Sequence, residues 1–125
     1  MAELSKHTRI KKEISMPWFV ANLLFRAIHN GMISDNDIWE ERIILIDADT
    51  EQDAIKECIK IGKSEEHEYP VKADKSGKDE IVKWSFIQIE RICLIEGSAF
   101  VNGLEVFTRY LRNSEVKSLL TPFEE

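Results

Sequence analysis

Between Trp18 and Ile28 every second residue, Phe19, Ala21, Leu23, Phe25 and Ala27, is apolar, while Trp18, Val20, Asn22, Leu24, Arg26 and Ile28 form a more mixed second face. A period of two held over that length predicts a long interior strand, fully buried on one side and partly so on the other. His29-Asn30-Gly31 has turn chemistry, and a polar loop through Ser34-Asp35-Asn36-Asp37 leads to a second strand from about Trp39 to Ala48, its centre Ile43 to Ile46 bounded by charges. Thr50 predicts a helix N-cap, with Glu51 and Asp53 in the first turn opposing the helix dipole. The stripe Ala54, Ile55, Cys58, Ile59 and Ile61 follows at helical spacing, and Gly62 is expected just past the helix end.

Tyr69-Pro70-Val71 reads as a short edge strand, since proline removes a ladder donor, and Asp74 to Asp79 as a polar hairpin loop. A long strand returns from Ile81 to Ile95, and its better-buried face changes near Glu90 and Arg91, which predicts a β-bulge. Turns at Glu96-Gly97-Ser98 and Asn102-Gly103 precede a last strand, Glu105 to Arg112, and Ser114 is expected to cap a short helix carrying Val116, Leu119 and Leu120. The predicted architecture is therefore α+β, an antiparallel sheet of about five strands in the order ββαβββα with helices packed on one face. The in-phase positions predict a core of Phe19, Leu23, Phe25, Ile44, Ile46, Ile55, Cys58, Ile59, Trp84, Phe86 and Phe107.

With 125 residues, 43% hydrophobic and 32% charged, the chain has matter for one core. Residues 1–16 lack a clean period and carry Lys6, Arg9, Lys11 and Lys12, so they are expected to be a flexible basic tail before a single domain over 17–125. Apolar runs such as Trp18 to Ala21 and Ile43 to Ile46 reach only four residues, too short to span a bilayer, and no signal-type apolar segment follows the basic start. The expectation is a cytoplasmic protein with no membrane association. Cys58 and Cys93 sit inside apolar patterns, as small core residues of a reducing compartment would, and no disulfide is expected between them.

The net charge of −6 is unevenly placed. Residues 35–68 hold twelve acids against four bases, a local −8, which argues against a nucleic-acid partner. Such a stretch is commonly a solvated surface. The sharper reading makes it a docking face for a basic protein, with Asp35, Asp37, Glu57, Glu65, Glu66 and Glu68 as the contact residues.

Candidate chemistry is sparse. His7, His29 and His67 have no second ligand at metal-binding spacing, and the five glycines form no phosphate-binding loop, so neither a metal nor a nucleotide cofactor is expected. The remaining polar group is Glu40, Glu41 and Arg42 at the start of the second strand, with Glu105 and Arg109 near the end. Convergent carboxylates and guanidinium could do acid–base work or hold a ligand, though cross-strand ion pairs of this kind are more often structural.

Trp18-Phe19-Val20, the pair Glu40-Glu41 before Arg42-Ile43, the helix start Thr50 to Ala54, Trp84-Ser85-Phe86 and the close Gly103-Leu104-Glu105-Val106-Phe107-Thr108-Arg109 together are familiar. In order and spacing they resemble a domain-of-unknown-function family of small bacterial cytosolic proteins over about residues 17–112. Gln52-Asp53 stands where that pattern has an acidic pair, and the basic tail is additional. The resemblance implies a bacterial cytosolic domain and carries no activity with it.

Two functions follow as expectations. The first is a small acidic binding protein, of the immunity type that neutralises a basic toxin; the alternative is a ligand-binding protein or enzyme using the Glu/Arg group in a cleft. An enzyme is the less favoured of the two.

Overall fold

A computed structural model describes residues 17–72, 79–97 and 100–121; the expected basic tail and most of the Asp74–Asp79 loop lie outside these residues. The elements are β1 (Trp18–His29), β2 (Trp39–Asp47), α1 (Glu51–Ser64), β3 (His67–Lys72), β4 (Asp79–Ile95) and α2 (Asn113–Leu120). The strands form one antiparallel sheet in the spatial order β2-β1-β4-β3, so the longest apolar strands lie inside and β2 and β3 form its edges. Asn30 and Gly31 both take positive φ, 51° and 71°, and Met32 N–H donates to His29 O at 2.9 Å, the geometry of a tight hairpin turn.

The alternation of β1 sorts the two faces. Phe19, Ala21, Leu23, Phe25 and Ala27 are all buried, and α1 lies over this side with Ala54, Cys58 and Gly62 turned inward. Thr50 caps α1 as expected, its hydroxyl accepting from Asp53 N–H at 3.1 Å. Gly62 does not end the helix: it lies within the last turn against β4, where a Cβ would stand 2.6 Å from the Phe86 ring. Its role is close approach of helix to sheet. Ile59, expected in the core, is 39% exposed, because Ala54 and Cys58 take the inward line and Ile59 falls to its flank.

On the opposite face Val20 and Asn22 are equally buried, and the chain after β4 runs back across it. Phe100 packs its ring 5.7 Å from that of Trp18, Thr108 O accepts from Arg91 Nη1 at 3.0 Å, and the Arg91 guanidinium sits 5.4 Å above Phe107. Phe107 therefore packs on this second face, across the sheet from α1. The returning chain contacts the sheet through side chains, and the expected strand Glu105–Arg112 is not one; among the described residues the order is ββαββα with four strands. Helix α2 is led in by Arg112, whose N–H donates to Glu115 Oε1 at 2.8 Å, in place of the expected Ser114 cap. None of its residues is buried, so only α1 packs on the sheet.

The bulge expected at Glu90–Arg91 is present: Asn22 pairs with Arg91 and Leu23 with Ile89, leaving Glu90 as the extra residue. A second irregularity follows where Leu24 pairs with Gln88 and Phe25 with Phe86. Two extra residues in one strand increase its local twist and curl the sheet.

Candidate functional site

The Glu/Arg group is divided by strand parity. Glu40 and Arg42 share the α1 face, where Arg42 Nε lies 2.7 Å from Glu40 Oε1, Nη1 lies 2.9 Å from Glu65 Oε1, and the guanidinium stacks 4.5 Å over Phe25. Glu41 points to the other face and accepts from Asn22 Nδ2 at 3.0 Å. Arg109 pairs with Glu90 at 3.6 Å, and Glu105 is exposed on the returning chain. The five side chains do not meet in one cleft. Asn22 is only 1% exposed and its Oδ1 has no partner among the described residues, an arrangement that costs about 1–3 kcal/mol.

The acids expected to dock a partner are also dispersed. Asp37 is taken up internally: it accepts from Ser34 N–H at 3.0 Å and from Arg26 Nε at 2.9 Å. The Ser34 amide holds its carboxyl below the ordinary value, with the Arg26 guanidinium acting in the same direction against burial. Glu65 is engaged by Arg42, and Glu66 Oε2 accepts from Phe86 N–H at 2.8 Å, continuing the β4 ladder beyond the end of β3. Asp35, Glu57 and Glu68 are exposed, each on a different element.

A more coherent feature opens where β2 turns into α1. A groove of about 530 Å³ is lined by Trp18, Leu45, Ile46, Asp47, Ala48, Asp49, Asp53, Glu57 and Ile61. Its carboxylates come from the last residue of β2, the connection, and two successive turns of α1; its walls are apolar, and no base lines it. Only Glu57 belongs to the expected docking set. Asp47 and Asp49 sit near the strand end, and Asp53 is readable in sequence as an acid suited to the helix N-terminus, a role that hides its place beside the other three.

Such a groove suits a basic segment, with carboxylates spaced along it and the Trp18 indole to take the apolar stem or face of a lysine or arginine. Among the described residues no three His, Cys, Asp or Glu side chains are close enough to share a metal ion. Both cysteines are free; Cys58 is buried, which pushes its thiol pKa up, with Glu57 adding to the effect. No helix among the described residues is long and apolar enough to cross a membrane.

Fold and groove define a small α+β domain, an antiparallel curled sheet with one helix packed on it and an acidic opening at the joint between them. The family described as "Domain of unknown function (DUF4288)" matches residues 18–108, from the first residue of β1 into the returning chain, and the protein belongs to that family. No curated protein and no solved structure matches the chain.

Proposed function

We propose that this domain is a protein-binding module that takes a basic segment of a partner into the groove at the β2–α1 joint. The observation that carries this reading is the lining itself: Asp47, Asp49, Asp53 and Glu57 without a base among them, beside Trp18. A concave site with one sign of charge and apolar walls focuses its field and raises the association rate of a cationic partner. The neutralisation of a basic toxin by an immunity-type protein is a role of this kind, and a bacterial cytoplasmic setting is part of the same reading.

The test is affinity capture from the native host with the wild type and with the D47N/D49N/D53N/E57Q variant in parallel. A basic protein should be enriched on the wild type and lost on the variant, with its association rate falling as salt rises from about 50 to about 300 mM. Equal retention by the variant, or a captured partner of acidic character, would overturn the reading.

A further inference from the structure

The two edges of the sheet are finished differently, and the unfinished one is self-complementary. Ala27 N–H donates to Ile38 O at 2.9 Å and Ala48 N–H to Pro17 O at 3.1 Å, at the two ends of the β1–β2 ladder. By the alternation of an antiparallel pair, the even-numbered residues of β2 turn their backbone groups to β1. Trp39, Glu41, Ile43, Leu45 and Asp47 turn theirs to the open side, where no described strand lies. The same residues project to the face opposite α1, and Trp39, Ile43 and Leu45 are 44%, 56% and 50% exposed there. Among the described residues only Glu41 and Asp47 put charge on this open side; the edge runs nine residues with no proline and holds four consecutive apolar residues, Ile43 to Ile46.

We propose that β2 pairs with β2 of a second copy of this chain about a two-fold axis at Ile43, joining two sheets into one of eight strands. Local charge along the strand and the length of the overlap, which is all nine residues only for an axis at Ile43, select the register. A two-fold axis at Arg42 would set two guanidinium groups opposite each other, and one at Ile44 would oppose Glu41 to Asp47 of the other copy. With the axis at Ile43 no like charges face one another directly: Ile43 meets Ile43, Glu41 meets Leu45 and Trp39 meets Asp47, each from the opposite copy. Arg42, which then faces Ile44, is already neutralised by Glu40 and Glu65. The edge is about 30 Å long and about 10 Å deep, so the ladder alone buries on the order of 600 Å² over both copies. The exposed rows of Trp39, Ile43 and Leu45, brought side by side, raise this toward the ~1,200 Å² of the smallest specific interfaces. A reversible dimer follows; it rests on the open backbone edge of β2 and not on the cluster of carboxylates, although Leu45 and Asp47 belong to both surfaces.

Sedimentation of the full chain from about 10 µM to about 1 mM should show a monomer–dimer equilibrium, and Ile43→Lys, which places two ammonium groups at the axis, should weaken it by about 100-fold or more. Because both copies carry −6, added salt should leave dimerisation unchanged or strengthen it, the reverse of its effect on a basic partner in the groove. Ile43→Cys supplies a second measurement that does not depend on Ile43→Lys folding well. At a hydrogen-bonded pair on the axis the two Cα atoms would be ~5.5 Å apart, within disulfide range, so oxidised glutathione should link two copies through residue 43. Glu68→Cys, the matched position on the β3 edge, should not link. A wild type that stays monomeric to the highest concentration, a dimer indifferent to Ile43→Lys, or equal linking at 43 and 68 would each overturn the proposal.

Discussion

β2 and β3 border the same sheet, yet only β3 is built as a terminus. It runs six residues, every one exposed, with Glu68 and Lys72 along it and Pro70 in the middle. Asn30 N–H donates to Ile81 O, so Ile81 turns its backbone to β1, and Pro70, which faces Ile81, has its nitrogen on the outer side. The missing N–H is thus removed from the edge that another strand would seek, and costs the sheet no ladder bond. Glu66 completes the inner side by accepting from Phe86 N–H. β2 carries charges too, Glu41 and Asp47 among its outward residues, but it has no proline, is half as long again, and shows the apolar row of Trp39, Ile43 and Leu45 beside them. The contrast teaches that exposure alone says little about an edge. What distinguishes the two is whether the outward backbone and side chains are made unattractive to another strand, and on β2 they are not.

The substitution with the largest expected effect should leave this contrast untouched while weakening everything. Phe25 is fully buried at the centre of β1, opposite Glu40 of β2 on one side and Phe86 of β4 on the other. Phe25→Ala should destabilise the fold by ~3–5 kcal/mol, seen as a lower denaturant midpoint, with amide protection lost equally along β2 and β3. Protection lost on one edge only would mean the sheet is two units and not one.

Gly62→Ala comes next and should begin to separate the edges. A methyl group at 62 meets the Phe86 ring at 2.6 Å, and Phe86 lies on the β3 side of the sheet. The overlap should outweigh the roughly 1 kcal/mol of helix propensity gained from alanine, for a net loss of ~1–3 kcal/mol by the usual cost of overpacking. A thermal melt decides it; an unchanged or raised midpoint would show that helix and sheet part at no cost.

These two positions also show what a sequence can carry. Phe25 is legible because period-two alternation states which face is buried, and by the same logic the helix cap at Thr50 and the bulge at Glu90 are found in advance. Gly62 is not, since a glycine near a helix end looks alike whether it turns the chain or admits a ring, and only the position of Phe86 tells the two apart. Glu105 to Arg112 alternates like a strand, but alternation reports side-chain burial and says nothing of a backbone partner, and here the chain crosses the sheet without joining its ladder. The groove is hidden for a related reason: Asp47, Asp49, Asp53 and Glu57 each have a sufficient local explanation, and their convergence depends on the angle at which α1 leaves β2.

Glu66→Ala sharpens the comparison from the β3 side alone. Losing the carboxylate leaves Phe86 N–H without its acceptor, for a cost of about 1–2 kcal/mol after allowance for partial exposure. Hydrogen exchange should quicken at Phe86 and its neighbours while β2 is unaffected. Exchange that quickens as much at Ile44 as at Phe86 would remove the distinction between an edge closed locally and one held only by the core.

The smallest effect belongs to the entrance of β2. Arg26 bridges the two parts of that entrance: its Nε is 2.9 Å from Asp37 Oδ2, and its guanidinium lies 4.9 Å over the ring of Trp39, the first residue of the edge strand. The Ser34 amide, then Arg26, hold the Asp37 carboxyl below its ordinary value, so the fold binds a proton there less readily than the unfolded chain does. The sign follows from linkage: the stabilisation is fully present above the ordinary aspartate value of about 3.9 and is lost as pH falls through the lowered one. Asp37→Asn should therefore lower stability slightly at neutral pH and flatten its fall below about pH 4. The measurement is a set of denaturant midpoints across the acid range for both proteins. If Asp37 pins the start of β2, the variant should also lose the Arg26–Trp39 stacking, shifting Trp39 fluorescence at pH 7 as acid shifts it in the wild type. Parallel pH curves with unchanged fluorescence would leave β2 held by its ladder to β1 alone, and its open edge free of any control from the loop that leads into it.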